Sequence, residues 1–153
     1  MPGRLIDILL VEDNPADVRL AQEALRDYNI QNALHVVTDG EEALAYLRKE
    51  GKHSQAVTPD MILLDINLPK IDGIEVLAEM QLDPLLRDIP VVVLTTSKLD
   101  QQILKKYNVL PDCYVAKPLT LERYLDAVKC FPHMGLSIVN LSATPAGYGL
   151  AID

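Results

Sequence analysis

A chain of 153 residues holds one ordinary hydrophobic core and leaves no room for a second catalytic domain. Apolar residues make up 49% and charged residues 24%, which excludes a disordered or fibrous chain, and a formal net charge of −8 counts against nucleic acid, whose backbone requires clustered Lys and Arg; the expected partner is protein. No apolar run approaches the ~18 residues of a membrane span and the start lacks a signal-peptide core, so no membrane contact and a cytoplasmic location are expected.

In chain order, Ile6 to Val11 is a continuous apolar run of the kind a strand covered on both faces shows. A helix follows, because Asn14 can cap it, Pro15 fits the first helical position and Asp17 suits the dipole; Ala21, Ala24, Leu25 and Tyr28 mark its buried stripe. Leu34 to Thr38 is the second strand, and Asp39-Gly40 introduces a second helix ending near Lys49. Met61 to Leu64 is the third strand, and Gly73 opens a third helix running to about Met80. Val91 to Thr95 is the fourth strand, followed by a helix over Leu99 to Tyr107 with Ile103, Leu104 and Tyr107 inward. Cys113 to Ala116 is the fifth strand. Thr120 then caps a fifth helix, with Leu121, Tyr124, Leu125 and Val128 on one face. Cys113 and Cys130 have neither metal-site spacing nor the density of a disulfide scaffold and read as free thiols.

Strict alternation of five strands with five helices predicts an α/β fold, a doubly wound, flavodoxin-like parallel sheet in the order 2-1-3-4-5. Residues 1–131 form the predicted domain. Residues 132–153 are a C-terminal tail with a short apolar run from Leu136 to Leu141, either folded back on the core or reaching another subunit; it is too short for an output domain.

Polar residues stand where the predicted strands end: Glu12 and Asp13 after the first, Asp65 at the third, Thr95 and Thr96 at the fourth, Lys117 at the fifth. In such a sheet those ends share one mouth. Three carboxylates gathered there repel one another unless a cation intervenes, and oxygen donors of this type suit Mg2+. One carboxylate can then attack phosphorus, with the metal and a lysine neutralising the equatorial oxygens and a hydroxyl completing the cradle. Each residue alone reads more simply, as a turn, a cap or a solvated charge. Their coincidence carries the weight.

Val11-Glu12-Asp13-Asn14, Leu64-Asp65-Ile66-Asn67-Leu68-Pro69 with Asp72-Gly73, Leu94-Thr95-Thr96-Ser97 and Lys117-Pro118 resemble, in order and spacing over about residues 6 to 130, the signature blocks of bacterial two-component response-regulator receivers, whose fold is also called CheY-like. The resemblance implies that Asp65 is the phosphoacceptor, that Glu12, Asp13, Asp65 and the Asn67 backbone carbonyl hold Mg2+, and that Thr95 and Lys117 bind the phosphoryl oxygens. It further implies that Thr95 and Tyr114 form the switch and that the Lys117-Pro118 peptide is cis. The protein would then be a signalling protein rather than an enzyme, one that assists its own Mg2+-dependent phosphotransfer and dephosphorylation. The chain departs from the family at Leu110-Pro111-Asp112, where many relatives have a Gly-Ala turn, and at Thr96, a site usually filled by a very small residue. The connection Gln81 to Ile89, the run Val92 to Ser97 and the tail residues Leu136 to Val139 are similar to the small response regulators of cyanobacterial and other bacterial phytochromes. That narrower likeness implies a sensor histidine kinase of the phytochrome type as partner, and a homodimer.

Two other readings use parts of the same pattern. A phosphohydrolase with an aspartyl-phosphate intermediate commonly needs a second carboxylate two positions after the nucleophile, where this chain has Asn67. A nucleotide- or flavin-binding module has little support, since neither a Walker loop nor a G-x-G-x-x-G stretch is present.

Overall fold

The structure, a computed structural model, describes residues 6–26, 32–68, 70–95, 102 and 113–128. Their strands are β1 (Ile6–Val11), β2 (Asn32–Val37), β3 (Met61–Asp65), β4 (Val91–Thr95) and β5 (Cys113–Ala116). They form one parallel sheet in the predicted order, β2-β1-β3-β4-β5. The α-helices among the described residues are α1 (Pro15–Arg26), α2 (Gly40–Leu47), α3 (Gly73–Leu82) and α4 (Leu121–Val128), with one 3-10 turn at Gly51–His53. Of the helix expected over Leu99–Tyr107 only Gln102 is described, helical and exposed. Tyr28, Thr96, the turn at Leu110-Pro111-Asp112, Cys130 and the tail lie outside the described residues.

Alternation along each strand divides the core into two layers. Leu9, Val11, Ile62, Leu64 and Val93 face one way and pack with Ala43, Leu47, Val76, Leu77 and Met80 of α2 and α3. Ile8, Leu10, Met61, Leu63 and Leu94 face the other way and pack with Ala21 and Leu25 of α1 and Tyr124 and Ala127 of α4. Both faces are covered, which is why these strands read as unbroken apolar runs.

The helix starts are set by short polar side chains that satisfy otherwise unpaired backbone donors. Asn14 Oδ1 accepts from the N–H of Ala16 at 2.8 Å and of Asp17 at 3.3 Å. Asp39 Oδ1 accepts from Glu42 N–H at 2.7 Å, Asp72 Oδ1 from Glu75 N–H at 3.0 Å, and Thr120 Oγ1 from Arg123 N–H at 3.1 Å. Glu42 reaches back to the N–H of Thr38 at 3.3 Å, drawing that donor out of the sheet ladder. Hence β2 stops at Val37, one residue before its expected end, and it begins two residues earlier, at Asn32. α3 extends two residues past Met80, to Leu82.

Gly73 ties α3 to the end of β3. Its N–H donates to Ile66 O at 3.0 Å, and a Cβ there would stand 2.7 Å from both the Asp65 carbonyl oxygen and Ile66 Cα, backbone atoms that cannot turn aside.

Candidate functional site

The strand register assembles the mouth one step at a time. Val11 pairs with Leu64, so Glu12 follows beside Asp65; Asp65 pairs with Leu94, bringing Thr95 next; Thr95 pairs with Ala116, and Lys117 follows. Lys117 N–H donates to the Thr95 carbonyl at 2.9 Å, extending that pairing past β5. The peptide between Lys117 and Pro118 is cis.

Glu12, Asp65 and Thr95 are buried at 1%, 3% and 4% exposure, a placement such polar side chains take only with partners. Glu12 Oε2 accepts from Asn14 N–H at 3.2 Å and Asp65 Oδ1 from Asn67 N–H at 3.1 Å. Asn67 itself is exposed on the loop after β3, as is Asp13 after β1. Oxygen atoms of Glu12, Asp13 and Asp65 lie within 4.8 Å of one another. The Lys117 ammonium stands 3.1 Å from Glu12 Oε1, 3.1 Å from Asp17 Oδ2 and 3.3 Å from Asp65 Oδ2.

These groups shift one another's proton affinity in opposite directions. Burial, followed by the negative charge of Asp65, pushes Glu12 up to about 7, against the pull of Lys117 and the Asn14 N–H. Burial would lower Lys117, but its contacts with Glu12 and Asp17 and the charge of Asp65 outweigh that and hold it above the ordinary lysine range. The cluster therefore keeps a firmly charged ammonium beside Asp65.

The donors fit a hard divalent cation. Three carboxylates converge, and Glu12 Oε1 is buried with no aligned hydrogen-bond donor among the described residues, its contact with Lys117 being an ion pair outside hydrogen-bond geometry.

Tyr114 is half-buried on β5, opposite Val93, and its ring packs against the layer under α2 and α3. Burial raises its phenol. Thus every residue singled out at the strand ends, Thr96 apart, is at the mouth, and Tyr114 lies three residues before it. Two contributors were not foreseen. Asp17, expected only to suit the α1 dipole, reaches Lys117; it stands one helical turn beyond Asp13, a spacing that could have flagged it. Arg123 donates from Nη1 to Pro118 O at 2.7 Å and, more weakly, to Ala116 O at 3.4 Å, clasping the carbonyls on either side of Lys117.

A buried aspartate at the carboxyl end of the central strand, flanked by a cation-binding acidic group, a threonine and a lysine, defines the receiver class of phosphoacceptor signalling proteins. Comparison with known proteins bears this out: residues 8–129 match the response regulator receiver domain family. The chain belongs to that family. It is 43% identical over 136 residues to response regulator Rcp1 of Synechocystis sp., covering 89% of this chain and 92% of Rcp1. The solved structure of the phosphorylated cyanobacterial phytochrome response regulator RcpA shares 48% identity, with 88% of this chain and 96% of that one covered and a TM-score of 0.72. The bacteriophytochrome response regulator AtBRR shares 38% identity over 85% of this chain and 94% of its own, with a TM-score of 0.79. Rcp1 has also been solved in a Mn2+-bound form, 42% identical, covering 85% and 89% of the two chains, with a TM-score of 0.68. The protein is a two-component signalling protein of the receiver family, with a histidine kinase as its phosphoryl donor and a site for a divalent cation. No helix among the described residues is long and apolar enough to cross a membrane.

Proposed function

We propose that Asp65 is the phosphoacceptor and that the cation is Mg2+, held by Glu12, Asp13, Asp65 and the Asn67 backbone carbonyl. The observation that carries this reading is the placement of the Lys117 ammonium 3.3 Å from the buried Asp65 Oδ2, within the acidic group of Glu12, Asp13 and Asp65. An Asp65 oxygen attacks phosphorus in line as the bond from phosphorus to the donor's phosphohistidine nitrogen breaks, and the electron pair leaves with the imidazole. Lys117 and the Thr95 hydroxyl hold the phosphoryl oxygens as charge develops on them. Bound Mg2+ supplies further neutralisation of that charge.

The same chain then assists loss of the phosphoryl group to water. Phosphorylation draws Thr95 inward and repacks Tyr114, shifting an existing equilibrium at the surface of β5 and α4. Residues 1–131 are the receiver and residues 132–153 a tail that takes part in a homodimer. The likeness to RcpA and AtBRR supports a phytochrome-type sensor histidine kinase as donor, and the net charge of −8 supports protein rather than nucleic acid as the partner class.

Intact mass after incubation with acetyl phosphate and Mg2+ tests the centre of this reading. One phosphoryl adduct is expected on the native chain and none on Asp65→Asn or in the presence of a chelator; an adduct that persists on Asp65→Asn refutes it. Removing residues after Phe131 should yield a monomer by light scattering while phosphorylation persists.

A further inference from the structure

The Lys117 ammonium has three donors and three carboxylates around it, at 3.1, 3.1 and 3.3 Å. Two of these, Glu12 and Asp65, also belong to the acidic group with Asp13. Asp17 does not. It comes from the first turn of α1, its side chain is 28% exposed, and Lys117 is the only ion-pair partner of its carboxylate among the described residues. Its contact therefore serves the lysine alone.

A lysine that must meet a phosphoryl oxygen is slowed by any carboxylate that holds it more strongly before transfer than during it, since only interactions stronger in the transition state accelerate the step. An uncompensated carboxylate at this position also repels an incoming anionic phosphoryl donor. Both effects act in one direction. Lys117 keeps Glu12 and Asp65 as partners without Asp17, so its placement at the mouth does not depend on Asp17.

We propose that Asp17 is a positioning residue that restrains Lys117 in the resting protein and so limits the rate at which Asp65 takes up a phosphoryl group. This rests on Asp65 being the phosphoacceptor. Asp17→Asn keeps the side chain's size and removes its charge. With acetyl phosphate as donor at fixed Mg2+, its initial rate of adduct formation, read by intact mass on the full chain, should rise roughly two- to fivefold, the scale on which one partly exposed ion pair acts. The gain should shrink at high salt, and Asp17→Glu should return the rate towards native.

A second readout needs no transfer. In metal-free protein, Lys117 of Asp17→Asn should react faster than native Lys117 with an amine-modifying reagent, mapped by peptide mass. An unchanged or slower phosphorylation rate in Asp17→Asn, with the native chain phosphorylated on Asp65, overturns the inference and leaves the proposed function standing. A fall in Mg2+ affinity by calorimetry would make Asp17 part of the cation site and overturn it equally. Absence of any adduct on the native chain removes the proposed function, and this inference with it.

Discussion

Replacing Lys117 with Met tests the electrostatics of the mouth most directly, because Met keeps most of the apolar stem and removes only the charge. In the metal-free protein the substitution leaves Glu12 and Asp65, 1% and 3% exposed, without their ammonium. Breaking a buried ion pair from one side costs about 3–5 kcal/mol. Asp17, more exposed, adds at most about 1 kcal/mol. Glu12 moderates the loss by taking up a proton, which its shift to about 7 already makes easy near neutral pH. A net loss near 3 kcal/mol is therefore expected, a large part of the ~5–15 kcal/mol by which ordinary domains are stable. Urea denaturation in the presence of a chelator should show the midpoint falling with the slope unchanged. Added Mg2+ should narrow the gap, since the variant's site no longer sets a fixed cation against the bound one; occupancy at a hundred times Kd is worth about 2.7 kcal/mol. A loss under about 1 kcal/mol in chelator, or a gap that Mg2+ does not change, would refute the view that Lys117 neutralises this group.

Three further outcomes follow from the packing. Gly73→Ala must push backbone away from a Cβ 2.7 Å from Asp65 O; a loss of about 1–3 kcal/mol in urea is expected, together with slower phosphorylation of Asp65, and an unperturbed variant would mean that α3 does not hold the end of β3. The Tyr124 side chain is fully buried, and its hydroxyl has no hydrogen-bond partner among the described residues, so Tyr124→Phe should be neutral or slightly stabilising, while Tyr124→Ala should cost about 3–5 kcal/mol by the same denaturation. Glu42 is lowered: burial opposes this, but the Thr38 N–H and Lys52 outweigh it. A lowered carboxylate adds stability that is fully present above its unfolded pKa and disappears as pH falls through the folded one. Glu42→Gln should therefore lose stability at neutral pH and converge with the native chain under acid conditions, a convergence that paired urea titrations would detect.

The sheet was readable because parallel strands covered on both faces leave an unbroken apolar signature: Met61–Leu64 and Val91–Val93 are buried to the last side chain. The α1 start was readable because Asn14 and Pro15 act through local geometry alone. The end of β2 was not, since it depends on Glu42 turning back from α2 to take the Thr38 N–H. Periodicity carries no record of such a competition between a cap and a ladder.

The site shows the same division. Glu12, Asp65, Thr95 and Lys117 were predictable as a group because strand register alone brings them together, and register follows from the order of the sheet. Asp17 and Arg123 meet the site through helix placement instead. Asp17 reaches Lys117 only because Ala21 and Leu25 seat α1 on the layer that also holds Leu10 and Leu63, and Arg123 reaches Pro118 only because Tyr124 and Ala127 fix α4 there. Both polar contacts are consequences of apolar packing on one face of the sheet. Loosening α4, as Tyr124→Ala does, should disturb the Arg123 clasp around Lys117 before it disturbs Glu12 and Asp13 after β1 or Asp65 at the end of β3. Phosphorylation should then fall while Mg2+ affinity holds.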